Sequence, residues 1–69
     1  MFDRKEFDIE LVRNDINMSD LATDIGIHPS TMYRKVADGG DFTREEIEKI
    51  TERLHLDSPM RVFFAPKLT

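Results

Sequence analysis

The sequence predicts an all-α fold of four to five short helices closing on one small hydrophobic core. Three observations carry this. Apolar residues recur at spacings of three and four, the period of a helix face. Helix-start signals stand just ahead of the apolar stretches, at Asn17, Pro29, Thr43 and Ser58-Pro59. Stop signals come after them, at Gly26 and at Asp38-Gly39-Gly40.

The first helix is expected over about residues 3–14, where Phe7 and Leu11 lie four apart and Ile9 and Val12 three apart. Asn17 suits an N-cap, and Asp20 three residues later makes an approximate capping box. Leu21, Ala22 and Ile25 form the stripe of the second helix, which Gly26 ends in the left-handed conformation. Pro29 opens a third helix, where its missing N–H is not needed, and Met32 and Val36 supply that helix's apolar stripe. Thr43-Arg44-Glu45-Glu46 is a Thr-x-x-Glu capping box with acids at the positive end of the helix dipole. Ile47, Ile50 and Leu54 continue the fourth helix, and Glu45 and Lys49 form an i,i+4 pair. Ser58-Pro59 starts a last run, Met60 to Ala65, too short for periodicity to separate one or two helical turns from a short strand. A short helix or turn is the preferred reading, and residues 66–69 are expected to be a loose tail.

Length and composition exclude much. Sixty-nine residues suit one domain, 1–69, and not a two-domain enzyme. A domain this size buries only about 60% of its unfolded surface, so its core is marginal. With no cysteine there is neither disulfide nor thiolate metal site. Charged residues at 35% and hydrophobic residues at 39% are the profile of a globular chain. No apolar run approaches ~18 residues and the first residues lack an apolar signal core, so a cytoplasmic protein is expected, with no membrane partner.

The net charge of −4 argues against a nucleic-acid partner until it is divided along the chain. Residues 1–24 carry −4, residues 25–37 carry +2, residues 38–57 carry −4 and residues 58–69 carry +2. The acid-free segment holds Arg34 and Lys35. It also falls within a helix, a tight turn at Gly26 and a second helix from Pro29, the pattern of a helix-turn-helix over about residues 18–37. Ala22 is small where two helices approach, Gly26 supplies a positive φ, and Ile27 is an apolar plug in the turn.

Leu21-Ala22-x-x-Ile25-Gly26-Ile27-x-x-Ser30-Thr31-Met32-Tyr33-Arg34-Lys35 resembles the motif of the Cro/repressor-type (XRE-like, lambda-repressor-like) helix-turn-helix DNA-binding domains. Asp41-Phe42-Thr43, then Glu45, Ile47, Ile50, Leu54 and Leu56, and the closing Phe63-Phe64-Ala65 are similar to the stretch after the motif in small members of that family. The resemblance covers about residues 7–65. It implies a four- to five-helix domain whose second motif helix lies in the DNA major groove. Members often carry Gln where this chain has Met18, and a Ser followed by a polar or basic residue where it has His28-Pro29.

The candidate DNA-binding residues are His28, Ser30, Thr31, Tyr33, Arg34 and Lys35. Arg34 has the planar fork that bonds guanine O6 and N7 together. Lys35 suits phosphate, or covers its neighbours with its stem. Tyr33 either stacks on sugar or touches a thymine methyl, or shores up the helix. Ser30 and Thr31 offer hydroxyls and helix-start amides to bases or phosphates, with Thr31 alternatively packed inward or capping. His28 meets phosphate if protonated, or simply caps the helix. Leu21, Ala22, Ile25, Gly26, Ile27, Met32 and Val36 hold the motif together. Val62, Phe63 and Phe64 are candidate dimer contacts, because two adjacent aromatics do not both point easily into a small core.

No metal or cofactor site is expected, since His28 and His55 lack ligand-spaced partners. No catalytic motif is visible, and no enzyme is expected. The expected function is a sequence-specific transcriptional regulator, a small phage or mobile-element repressor acting as a homodimer on double-stranded DNA by occluding polymerase. The alternative is an antitoxin-like or modulator protein that binds a toxin or a second regulator through the same fold.

Overall fold

Five helices form in the order α1 (Arg4–Arg13), α2 (Met18–Ile25), α3 (Pro29–Ala37), α4 (Arg44–Leu54) and α5 (Pro59–Phe63). The computed structural model describes residues 1–65, and no strand occurs among them. The tail expected at 66–69 lies outside the described residues. No helix is long and apolar enough to cross a membrane.

Each start has a local chemical cause. Asp3, which is not among the start signals read from the sequence, caps α1 by accepting the Glu6 N–H at 3.1 Å. Asn17 Oδ1 accepts the Asp20 N–H at 2.7 Å, which is the Asn17 half of the approximate box. His28 caps α3 ahead of Pro29. Around α4 the box is complete: Thr43 Oγ1 accepts the Glu46 N–H at 3.1 Å, and Glu46 Oε1 accepts the Thr43 N–H at 2.9 Å. Ser58 stands in the cap position of α5, but its side chain makes no cap hydrogen bond, so Pro59 alone marks that start. Residues 59–63 are helical, which decides between the turn and strand readings of that run.

The helix ends are equally specific. Gly26 closes α2 at φ 84°, and the Ile27 N–H reaches back to the Ala22 carbonyl at 2.9 Å. α4 ends without a glycine, on His55 at φ 53°. The Asn14 side-chain amide ties two helix ends together, donating to the Glu10 carbonyl at 2.8 Å and the Leu54 carbonyl at 3.0 Å.

The core is shared by all five helices. Phe7, Leu21, Met32, Ile50 and Leu54 are fully buried, each contributing about 1.5–3 kcal/mol by leaving water. α2 packs on α3 and α4, while α5 packs on α1 and α4. Met18 turns into this core as well. Of the apolar residues of α1 only Phe7 and Leu11 are buried, and Ile9 and Val12 do not join the core stripe; Val12 is 80% exposed. Two residues at 100° each place Ile9 about 200° around the helix from Phe7, so one narrow helix cannot bury both pairs. Glu10 is buried instead, with an Arg13 guanidinium nitrogen 3.5 Å from its carboxylate.

One packing element has no counterpart in the apolar pattern. Phe2, ahead of α1, sits among Phe7, Phe42 and Phe63, with ring centroids 5.4, 5.9 and 6.0 Å away. The Asp3 N–H donates to the Val62 carbonyl at 2.6 Å, which lays this segment along α5.

Candidate functional site

Leu21, Ala22 and Ile25 of α2 and Met32 and Val36 of α3 are buried against one another, and Ile27 packs partly buried in the turn between them. Ala22 is wholly buried, its single methyl group allowing close approach. Because α3 is anchored along Met32 and Val36, its opposite face is set by the helical period. Ser30, Tyr33, Arg34 and Ala37, at steps of three and four, are all exposed there. Tyr33 is 54% exposed, so it stands out from the helix and does not shore it up.

His28 and Ser30 are engaged with each other. The Ser30 N–H donates to His28 Nδ1 at 3.1 Å, and the Ser30 hydroxyl lies 2.8 Å from the same nitrogen. The imidazole therefore acts as the helix cap. Pro29 has no N–H and that of Ser30 is taken, which leaves few helix-start amides for an anion. Thr31 is half-buried, between the inward and outward faces.

Arg34 and Lys35, adjacent in sequence, have opposite surroundings. Lys35 Nζ donates to Glu46 Oε1 at 2.9 Å and to the Asp41 carbonyl at 3.2 Å, and its side chain is 14% exposed. In this structure the ammonium bonds the start of α4. The loop between the two helices turns back on this residue: the Gly40 and Asp41 N–H groups donate to Lys35's own carbonyl at 2.9 and 3.3 Å. Burial of the Glu46 carboxyl raises its pKa, but the Thr43 N–H, the Lys35 ammonium and the Thr43 hydroxyl outweigh this and hold it below the usual glutamate value.

Most of the other cations have a carboxylate within ion-pair distance. Seven of the nine lysines and arginines among the described residues pair with a carboxylate: Arg4, Arg13, Lys35, Arg44, Lys49, Arg53 and Arg61. Glu45–Lys49 is among them, as the spacing predicts. Asp24 of α2 holds Arg53 of α4 at 2.7 Å. Lys5 and Arg34 alone form no such pair among the described residues. Arg34 is thus an exposed guanidinium with its fork of donors open, next to two hydroxyl-bearing side chains, Ser30 and Tyr33. Such a group bonds planar acceptor pairs, whether a base edge, a phosphate or a carboxylate.

The three candidate dimer residues separate by direction. Val62 and Phe63 are buried within the chain, Phe63 edge-on to Phe42 at 5.7 Å. Phe64, the next residue, is 51% exposed. A surface contact at this end therefore involves Phe64 and not its two predecessors. No protein-family model matches the chain, and comparison with curated proteins and with solved structures likewise found no match.

Proposed function

We propose that this chain is a sequence-specific DNA-binding regulator of the helix-turn-helix type, in which α3 enters the major groove. The observation that carries this reading is Arg34: exposed, without a carboxylate partner among the described residues, and on a helix face with no acid between Ser30 and Ala37. Arg34 reads a guanine edge by bidentate hydrogen bonds. Tyr33 lies against sugar or a thymine methyl, and the Ser30 hydroxyl oxygen accepts from the amino group of a neighbouring base. His28 acts by capping the helix that carries them. A homodimer, with Phe64 in its contact, spans half-sites about one helical turn, ~34 Å, apart. Repression results from occluding polymerase at such an operator, as in a small phage or mobile-element repressor.

The test is selection of duplexes from a random library by the intact chain, then anisotropy titration of the enriched duplex. Arg34→Ala is expected to lose about 1–3 kcal/mol of binding and the preference at one base pair. A variant that keeps wild-type affinity and preference removes Arg34 from the interface.

A second reading draws on the same ion pairs. With most cations neutralised and Phe64, Ile9 and Val12 exposed, the chain also suits an antitoxin-like or modulator protein docking on another protein. Enrichment of no duplex, together with a stable complex with a co-encoded protein, favours that reading.

A further inference from the structure

We infer that Lys35 is a positioning residue for the proposed interface: it clamps the end of α3 to the start of α4 and so sets the angle at which Arg34 and Tyr33 are presented. The inference rests on the DNA-binding reading and assigns Lys35 a role other than the phosphate contact its charge and place suggest. Four bonds from the loop and α4 meet at this residue, one of them from the Asp41 N–H to its carbonyl at 3.3 Å. Its ammonium donates to Glu46 Oε1 at 2.9 Å and to the Asp41 carbonyl at 3.2 Å, while its own carbonyl accepts the Gly40 N–H at 2.9 Å. The middle of the loop between α3 and α4, at Gly40 and Asp41, and the first turn of α4, at Glu46, are therefore tied to one residue of α3.

The geometry opposes a move to phosphate. Both side chains of the pair are largely shielded, 14% exposed for Lys35 and 16% for Glu46. Withdrawing the ammonium would leave a shielded carboxylate with only the Thr43 N–H and hydroxyl for partners, which is costly. Lys35 reaches across to α4 through its side chain, while the packing of α3 itself is against α2. Arg34, one residue away and about 100° around the helix, faces outward.

A phosphate contact and a clamp differ in sign under one substitution. Glu46→Gln keeps the capping box, since Gln also accepts from the cap N–H, but removes the ion pair and one negative charge. If Lys35 were a phosphate ligand held back by Glu46, the variant would bind every duplex more tightly. As a clamp, it loses preference for the enriched duplex over a scrambled one, by about tenfold. Lys35→Met is expected to lose preference similarly while the slope of log affinity against log salt stays at the wild-type value. A phosphate ligand would lower that slope by about 0.9.

Thermal melts of free wild type, both single variants and the double variant complete the test. The double variant is expected to melt no lower than Lys35→Met, which removes both the ion pair that Glu46→Gln removes and the bond to the Asp41 carbonyl. A wild-type chain that enriches no duplex overturns the DNA-binding reading and with it this role for Lys35, whatever the melts show. With an enriched duplex in hand, tighter general binding by Glu46→Gln, a slope reduced by about 0.9 in Lys35→Met, or additive melts overturns the clamp alone.

Discussion

At the residue scale, glycines at similar φ carry different loads. Gly26 ends α2 at φ 84°, with nothing near the place a Cβ would occupy. Gly40 has φ 78°, and a Cβ there would lie 2.3 Å from Phe2 Cγ. Gly26→Ala meets only the left-handed backbone penalty, about 1–2 kcal/mol. Gly40→Ala adds displacement of an aromatic ring, an overpacking cost of about 1–3 kcal/mol. Chemical denaturation is expected to show the larger loss at Gly40, and equal losses would mean Phe2 moves aside freely. The sequence marks both glycines as helix stops, but the extra role of Gly40 depends on Phe2, thirty-eight positions earlier. The same contrast separates Arg34 from Lys35. Both are basic residues of an acid-free segment, and the 100° step between them leaves one open and directs the other to Glu46.

At the scale of elements, the stop and start signals between α3 and α4 are legible because caps are local. Thr43 and Glu46 bond each other at three residues' separation, so their spacing alone predicts the box. That Glu46 also receives Lys35, eleven positions away, depends on the path of the Gly39-Gly40 loop, and no periodicity reports it. This double use makes a pH prediction. The Glu46 carboxyl has a lower pKa folded than unfolded, so its contribution to stability is present above the ordinary glutamate value, ~4.3, and lost as pH falls through the lowered folded value. Glu46→Gln is expected to show a smaller drop in melting temperature over that acid range than wild type. An unchanged drop would mean the pair contributes nothing to folding. The apolar pattern of α1 is less informative. Phe7/Leu11 and Ile9/Val12 have equally good helical spacing, and only the position of the other helices selects the first pair for burial.

At the scale of the molecule, the segment before α1 closes the fold. Phe2 joins Phe7, Phe42 and Phe63, which come from α1, from the α3–α4 loop and from α5. Phe2→Ala is expected to cost about 2 kcal/mol, below the 3–5 kcal/mol of a fully buried phenylalanine because this one is partly exposed. In a domain of this size that lowers the melting temperature by roughly 10 °C, measurable by calorimetry. A shift within ~2 °C would mean the cluster holds without it. The charge distribution also belongs to this scale. Net charge −4 is a sum over faces, and ion pairs neutralise most cations locally, leaving Arg34 as the open cation of the acid-free face.

Local chemistry along the chain specifies the set of helices, their starts and most of their stops, and the two apolar stripes that pack α2 against α3. Those features depend on interactions within about four residues, or on a period that reads directly as a face. The choice among ambiguous side chains is made only in three dimensions: Phe7 over Ile9, Phe63 over Phe64, and Glu46 over solvent as the partner of Lys35. Each of those choices sets two locally equivalent options against a neighbour far away in the chain. Packing in a small core admits one of them and turns the other to water.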